Sequence, residues 1–209
     1  MRRNKLPRWT HWVELITAES ADSRNVRHGR IIRFPQLTMP LLAAHTPPHW
    51  RVTHTDEIVQ RVRFDKPFPL VGITANTPAA PHAHRLAAGF RERGIPVVIG
   101  GPHATLMPEE VAMHADAVVV GEGELVWPDV LRDCQEGRLA GMYRSDTLPD
   151  LRRMPAPRWD LIKGRVYGRG VLFSPLDLRP HAKVENGPVV ERSPKRGVQP
   201  CAEELLRRE

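Results

Sequence analysis

Short runs of β-branched residues that stop at glycine set the rhythm of the middle of the chain. Val97, Val98 and Ile99 end at Gly100-Gly101, and Val118, Val119 and Val120 end at Gly121. Unbroken apolar runs of this length suit strands buried on both faces of a parallel sheet, because a strand with one wet face would alternate. Val13 to Ala18 and Leu70 to Ala75 are the candidates for the first and third strands. Trp50 to Thr55 does alternate, and reads as an exposed or edge strand. Between the third and fourth strands, Ala79, Ala83, Leu86, Ala87 and Phe90 recur at helical spacing, and Gly94 follows at the C′ position. Shorter helices are predicted over Pro35 to Ala44, with Leu37, Leu41 and Leu42 on one side, and over Pro108 to His114. Glu122 to Glu136 reads as one amphipathic helix packed through Leu125, Val130 and Leu131 and closed by Gly137.

Strands and helices mostly alternate, which predicts an α/β fold with a doubly wound, flavodoxin-like or Rossmann-like, five-stranded parallel sheet. The exception is the crossover after the second strand, where no strong helix is legible. A basic arm over residues 1–12 precedes the α/β domain, 13–142. A proline-broken linker covers 143–163, and 164–209 reads as a poorly ordered extension with few apolar runs. Glu19 to Arg30 is a polar stretch, long for a connection from strand to helix.

Composition narrows the function classes. The 209 residues carry 31 Lys+Arg and a formal charge of +7, but the basic residues are scattered and aromatics are 6%, so no nucleic-acid partner is expected. No apolar run approaches the ~18 residues of a membrane span, and no signal-peptide core follows the basic start. Cys134 and Cys201 are far apart and predict no structural disulfide, which fits a reducing cytoplasm. Two cysteines also fall short of the set that holds an iron–sulfur cluster.

In an open α/β sheet, ligands bind beyond the carboxyl ends of the strands. The two glycine-marked strand ends therefore belong to one ligand edge. Gly100-Gly101 removes two Cβ atoms where a ligand could touch the backbone, although many such turns carry glycine for packing alone. Thr74, Asn76 and Thr77 end the third strand with hydroxyl and amide groups that can either bond a ligand or cap the next helix. Gly121-Glu122-Gly123-Glu124 opens a helix with two carboxylates, which the helix dipole favours by ~0.3–1 kcal/mol each without any function. An acidic turn is no phosphate cradle, and neither a Walker A sequence nor a G-x-G-x-x-G fingerprint is present. His103, just past the glycine pair, reads as a turn or cap residue, and His82 and His84 face different ways on their helix. No metal-ligand set and no catalytic constellation is expected.

Taken together, RFPQLTMPLLAAHTPP (33–48), DEIVQ (56–60), LVGITANTPAAPHAHRLAAGFRERGIPVVIGGPHATLMPEE (70–110) and HADAVVVGEGELVWPDVL (114–131) carry more information than any one of them. Over about residues 13–160, including PAPRWDL (155–161), the chain resembles the N-terminal cobalamin-binding domain of B12-dependent radical S-adenosylmethionine proteins. The resemblance implies a flavodoxin-like sheet holding cobalamin against its C-terminal edge. Thr74, Asn76, Thr77, Gly100, Gly101, Pro102 and His103 would line the nucleotide tail and corrin, and Gly121, Glu122, Gly123 and Glu124 would border the same pocket.

Two departures shape this expectation. Other cobalamin domains carry Asp-x-His-x-x-Gly after the second strand, whereas Asp56 to Arg61 here has neither that His nor that Gly, which implies base-off binding without a histidine ligand. The family's Cys-x-x-x-Cys-x-x-Cys cluster motif is also absent. The expectation is thus a cobalamin-binding module without catalytic power of its own. One alternative is a subunit working with a separate radical S-adenosylmethionine protein that supplies the cluster. Another is a flavodoxin-like domain that has lost its ligand. A response regulator is disfavoured, because the third strand ends in Thr74-Ala75-Asn76 and not in an acceptor carboxylate.

Overall fold

The computed structural model describes residues 11–20, 35–145 and 147–162. All of them fall in the first of two units of the chain, Met1–Phe173. The basic arm up to residue 10, most of the polar stretch after Glu19, Cys201 and the extension 164–209 lie outside the described residues.

Six parallel strands form one sheet in the order β2-β1-β3-β4-β5-β6. They are β1 (Trp12–Thr17), β2 (Arg51–Asp56), β3 (Leu70–Thr74), β4 (Val97–Gly100), β5 (Ala117–Val120) and β6 (Met142–Arg144). The helices are α1 (Thr38–Ala44), α2 (Ala80–Arg91), α3 (Pro102–Leu106), α4 (Pro108–Ala112) and α5 (Trp127–Gln135). The α/β class and parallel sheet are those the sequence predicts, with β2 at one edge.

The sheet has one strand more than expected. β6 is three residues long with Met142 and Arg144 exposed, too short for any apolar run to announce it. Its anchor is Tyr143, whose hydroxyl donates to Asp133 at 3.0 Å and accepts the Ala140 N–H at 2.9 Å.

Alternation along the central strands sends side chains to two apolar layers. Ile16, Val71, Ile73, Val97, Ile99 and Val118 meet Ala83, Leu86, Ala87 and Phe90 of α2 and Val111 of α4. Val13, Leu15, Val98, Ala117 and Val119 meet Met39 and Ala43 of α1 and Trp127, Val130 and Leu131 of α5. Glu14 is the polar intruder on β1, and it is held by the Thr53 hydroxyl and by that of Thr55 at 2.5 Å. The crossover from β2 to β3 indeed has no helix. Phe64 and Val62 take its place, with Phe64 against Phe90 at 4.6 Å between ring centroids. A Cβ at Gly89 would stand 2.9 Å from Phe64, so α2 is notched to receive that ring.

Three helix expectations are corrected. Glu122 to Glu136 is not one helix: a 3-10 turn over Gly123–Leu125 precedes α5, and Leu125 is exposed. Pro128 accounts for the break, because its ring excludes a helical carbonyl four residues earlier. Trp127 takes over as the packing anchor, at 1% exposure. In α1 the buried residues are Met39, Pro40 and Ala43; Leu42 packs against the same layer half-buried, and Leu37, which precedes the first turn, is exposed. Pro108 to His114 shortens to α4, and a separate helix, α3, starts directly at Pro102.

Candidate functional site

The chain leaves β1 towards β2 and leaves β3 towards β4, so the strand order reverses between β1 and β3. Beyond the carboxyl ends near that reversal lies a cavity of about 490 Å³. It runs under α1 and α5, on the face that Val98 and Val119 share. Of the positions of β3 and β4 that point the same way, Gly72, Thr74, Val98 and Gly100 line it. Two of the four are glycine, and the missing side chains leave room for the slot. Deeper in, a Cβ at Gly72 would stand 3.1 Å from Leu15 and 3.4 Å from the Trp127 ring, so this glycine seats the indole that walls the cavity.

Gly101 makes the sharpest turn. Its φ is +94°, and a Cβ there would stand 2.3 Å from the Thr74 hydroxyl and 3.2 Å from the Ala75 carbonyl. That turn releases β4 straight into α3, with the His103 N–H donating to the Ala75 carbonyl at 3.1 Å. Gly121, at φ +78°, makes the matching turn after β5. Thr105 joins the two turns: its hydroxyl donates to the Gly101 carbonyl and accepts the Gly121 N–H, each at 3.0 Å.

Of the residues named from the sequence, Thr74, Gly100, Gly101, Pro102 and Gly121 to Glu124 line the cavity. Asn76 and Thr77 are exposed and lie off it, and the Asn76 carbonyl oxygen accepts the Ala79 N–H at 3.1 Å as a helix cap. His103 also lies off it, buried at 5% exposure with its ring 6.0 Å from that of His84. Sequence reasoning did not single out Thr38, Leu42, Thr105, Leu106 or Trp127, which complete the wall. Thr105 and Trp127 stand four residues after Gly101 and Gly123, a helical spacing that could have found them, and Thr38 and Leu42 carry no such signal.

The wall is apolar through Met39, Leu42, Val98, Val119 and Trp127, with threonine hydroxyls at intervals. Among the described residues that line it, the charged ones are Glu122 and Glu124, with no Lys or Arg. Such a slot suits a large neutral ligand with polar edges better than a naked phosphate. The turn after β2 offers no imidazole: Asp56 is buried and accepts the Ile58 N–H at 2.9 Å, and Glu57 meets His82 at 2.8 Å. Behind α3, burial pushes the His84 imidazole below its ordinary pKa, aided by His114 and His103 and opposed by Glu110.

Residues 41–131 match the family model of the B12 binding domain. The match runs from the middle of α1 to the middle of α5 and takes in all the residues that line the cavity except Thr38 and Met39. The chain is similar to part of the bacteriochlorophyllide d C-8(2)-methyltransferase of Chlorobaculum tepidum, 37% identical over 117 residues, which is 56% of this chain and 26% of that protein. It is also similar to the bacteriochlorophyllide d C-12(1)-methyltransferase of the same organism, 31% identical over 148 residues, 70% of this chain and 32% of that protein. An uncharacterized methyltransferase of Synechocystis is 27% identical over 143 residues, covering 66% of this chain and 26% of that protein. The chain thus spans between about a quarter and a third of the lengths of these relatives. No solved structure matches it. Among the described residues, no helix is long and apolar enough to cross a membrane.

Proposed function

We propose that this chain binds cobalamin in the glycine-floored slot, base-off and without a histidine beneath the cobalt. The observation that carries the reading is the position of the slot in the stretch matched by the B12 binding domain model, at the carboxyl edge where β1 and β3 part. Gly72, Val98, Val119 and Trp127 would hold the nucleotide tail between the sheet and the two helices that cover it. The turns at Gly100-Gly101-Pro102 and Gly121 to Glu124 would meet the corrin, with backbone amides and the Thr38, Thr74 and Thr105 hydroxyls facing its amide edges. Cobalamin supplies a cobalt-centred carrier of alkyl groups when bound. The chain's own part is to hold it, to keep water off its tail, and to leave its outer face open to a partner.

The methyltransferase relatives support a role in methyl transfer, with the reaction carried out by residues outside this domain. Cys134 and Cys201 supply too few thiolates for a cluster, so a radical S-adenosylmethionine partner would bring its own. Cytoplasmic action fits such chemistry.

Titration of the full chain with hydroxocobalamin, followed by visible absorbance, tests the reading. Binding at micromolar concentration with a base-off spectrum is expected, and weaker binding of cobinamide, which lacks the nucleotide tail. No spectral change at micromolar cobalamin overturns the assignment. Equal affinity for cobinamide overturns the placement of the tail in the slot. Co-purification with a radical S-adenosylmethionine protein tests the partner.

A further inference from the structure

On the face of the sheet opposite the slot, three side chains of metal-ligand type converge. His84 comes from the middle of α2, His103 from the first turn of α3, and Glu110 from the first turn of α4. One ligand atom from each lies within 4.8 Å of the others. His103 is 5% exposed, and neither of its ring nitrogens makes a hydrogen bond. The Nε2 of His84 is likewise buried with no hydrogen-bond partner. Glu110 Oε1 stands 3.5 Å from His103 Nε2, outside hydrogen-bonding geometry. His114 stacks on His84 at 4.0 Å between centroids and 14° between planes, which restrains the His84 ring.

Buried ring nitrogens in native proteins are almost always paired, and three unpaired ones in one cluster require an explanation. We propose that His84, His103 and Glu110 form a binding site for a divalent transition-metal ion of the zinc type. Two imidazole nitrogens and a carboxylate oxygen are the borderline donors that such ions take, whereas calcium and magnesium prefer an all-oxygen shell. Ligands at ~2.0–2.2 Å from a tetrahedral zinc stand roughly 3.3 Å apart, so the three side chains need close by only on the order of 1 Å. Glu110 is 39% exposed, which opens one side of the site to solvent and leaves the fourth position to water. Three elements are then cross-linked, two of them helices of five residues, too short to be stable by themselves. The ion would brace α3 from behind while Gly101 and Thr105, on its other side, shape the cobalamin slot. This site shares no ligand with that slot.

The full chain, stripped with a chelator and free of cobalamin, is titrated with zinc chloride by calorimetry and with cobalt(II) chloride by visible absorbance. One equivalent is expected to bind, and zinc to raise the thermal midpoint. Glu110→Gln and His84→Gln should each weaken binding by at least about 10-fold and abolish the thermal shift. His49→Ala, exposed and remote from the cluster, should change neither. Both ligand variants keep side-chain volume, and His103→Ala is avoided because that ring is buried. Absence of binding to the wild-type chain overturns the proposal, as does undiminished binding to the Glu110→Gln, His84→Gln double variant.

Discussion

The indole of Trp127 donates to the Thr46 hydroxyl at 2.8 Å, and Thr46 donates in turn to the Leu42 carbonyl at 3.3 Å. This chain of bonds ties α5 to the end of α1, the two helices that roof the slot. Trp127→Phe loses the bond and should cost about 1 kcal/mol. Trp127→Ala also opens a cavity and should cost about 3–5 kcal/mol. Urea denaturation followed by circular dichroism checks both, and an alanine variant as stable as wild type would contradict the anchoring role.

Gly101 sits where no Cβ fits. Its φ of +94° and the 2.3 Å approach to the Thr74 hydroxyl both oppose a side chain. Gly101→Ala should destabilise the chain by about 1–3 kcal/mol, and should weaken cobalamin binding in the absorbance titration. Gly141 serves as the control, because nothing lies within 4 Å of a Cβ there. Gly141→Ala should leave binding unchanged.

Thr38 is exposed yet lines the cavity mouth, so its replacement can fill the slot without disturbing the core. Thr38→Trp should lower cobalamin affinity by more than about 10-fold, roughly 1.4 kcal/mol, with the denaturation midpoint unchanged. Unaltered affinity would place the ligand elsewhere.

Alkaline pH should weaken the fold. Burial pushes the Cys134 thiol from 9.0 up to about 11, and burial is also the main cause raising Tyr143. The folded state then keeps protons that the unfolded state has lost, so this contribution is complete below about pH 9 and disappears between about pH 9 and 11. Unfolding midpoints across that range should fall, and Cys134→Ala should flatten the decline. Iodoacetamide at neutral pH should label Cys134 slowly in the folded chain, as peptide mapping would show.

The parts of this molecule that could be read in advance are those governed by local rules. Val97 to Ile99 and Val118 to Val120 show two-sided burial in their own sequence, because a parallel strand between two helical layers admits no polar alternation. The glycines that end them mark turns for steric reasons that need no neighbour. The stripe from Ala83 to Phe90 likewise reports its helix by period alone. Where a residue's role depended on a single proline or on a strand of three residues, as at Pro128 and at β6, period was a poor guide. One ring clash moved the helix start to Trp127, and one hydroxyl bond to Asp133 held the extra strand.

From the sequence alone come the alternating α/β order, the parallel sheet with its glycine-marked edge, and the resemblance that points to cobalamin. Only the tertiary structure decided that the slot opens under α1 and α5, because that depends on which way Gly72 and Gly100 face and on what covers them. It alone brought His84, His103 and Glu110 together while leaving Asn76 as a cap. Those side chains belong to three helices packed side by side on one face of the sheet, and no spacing along the chain encodes how those helices meet.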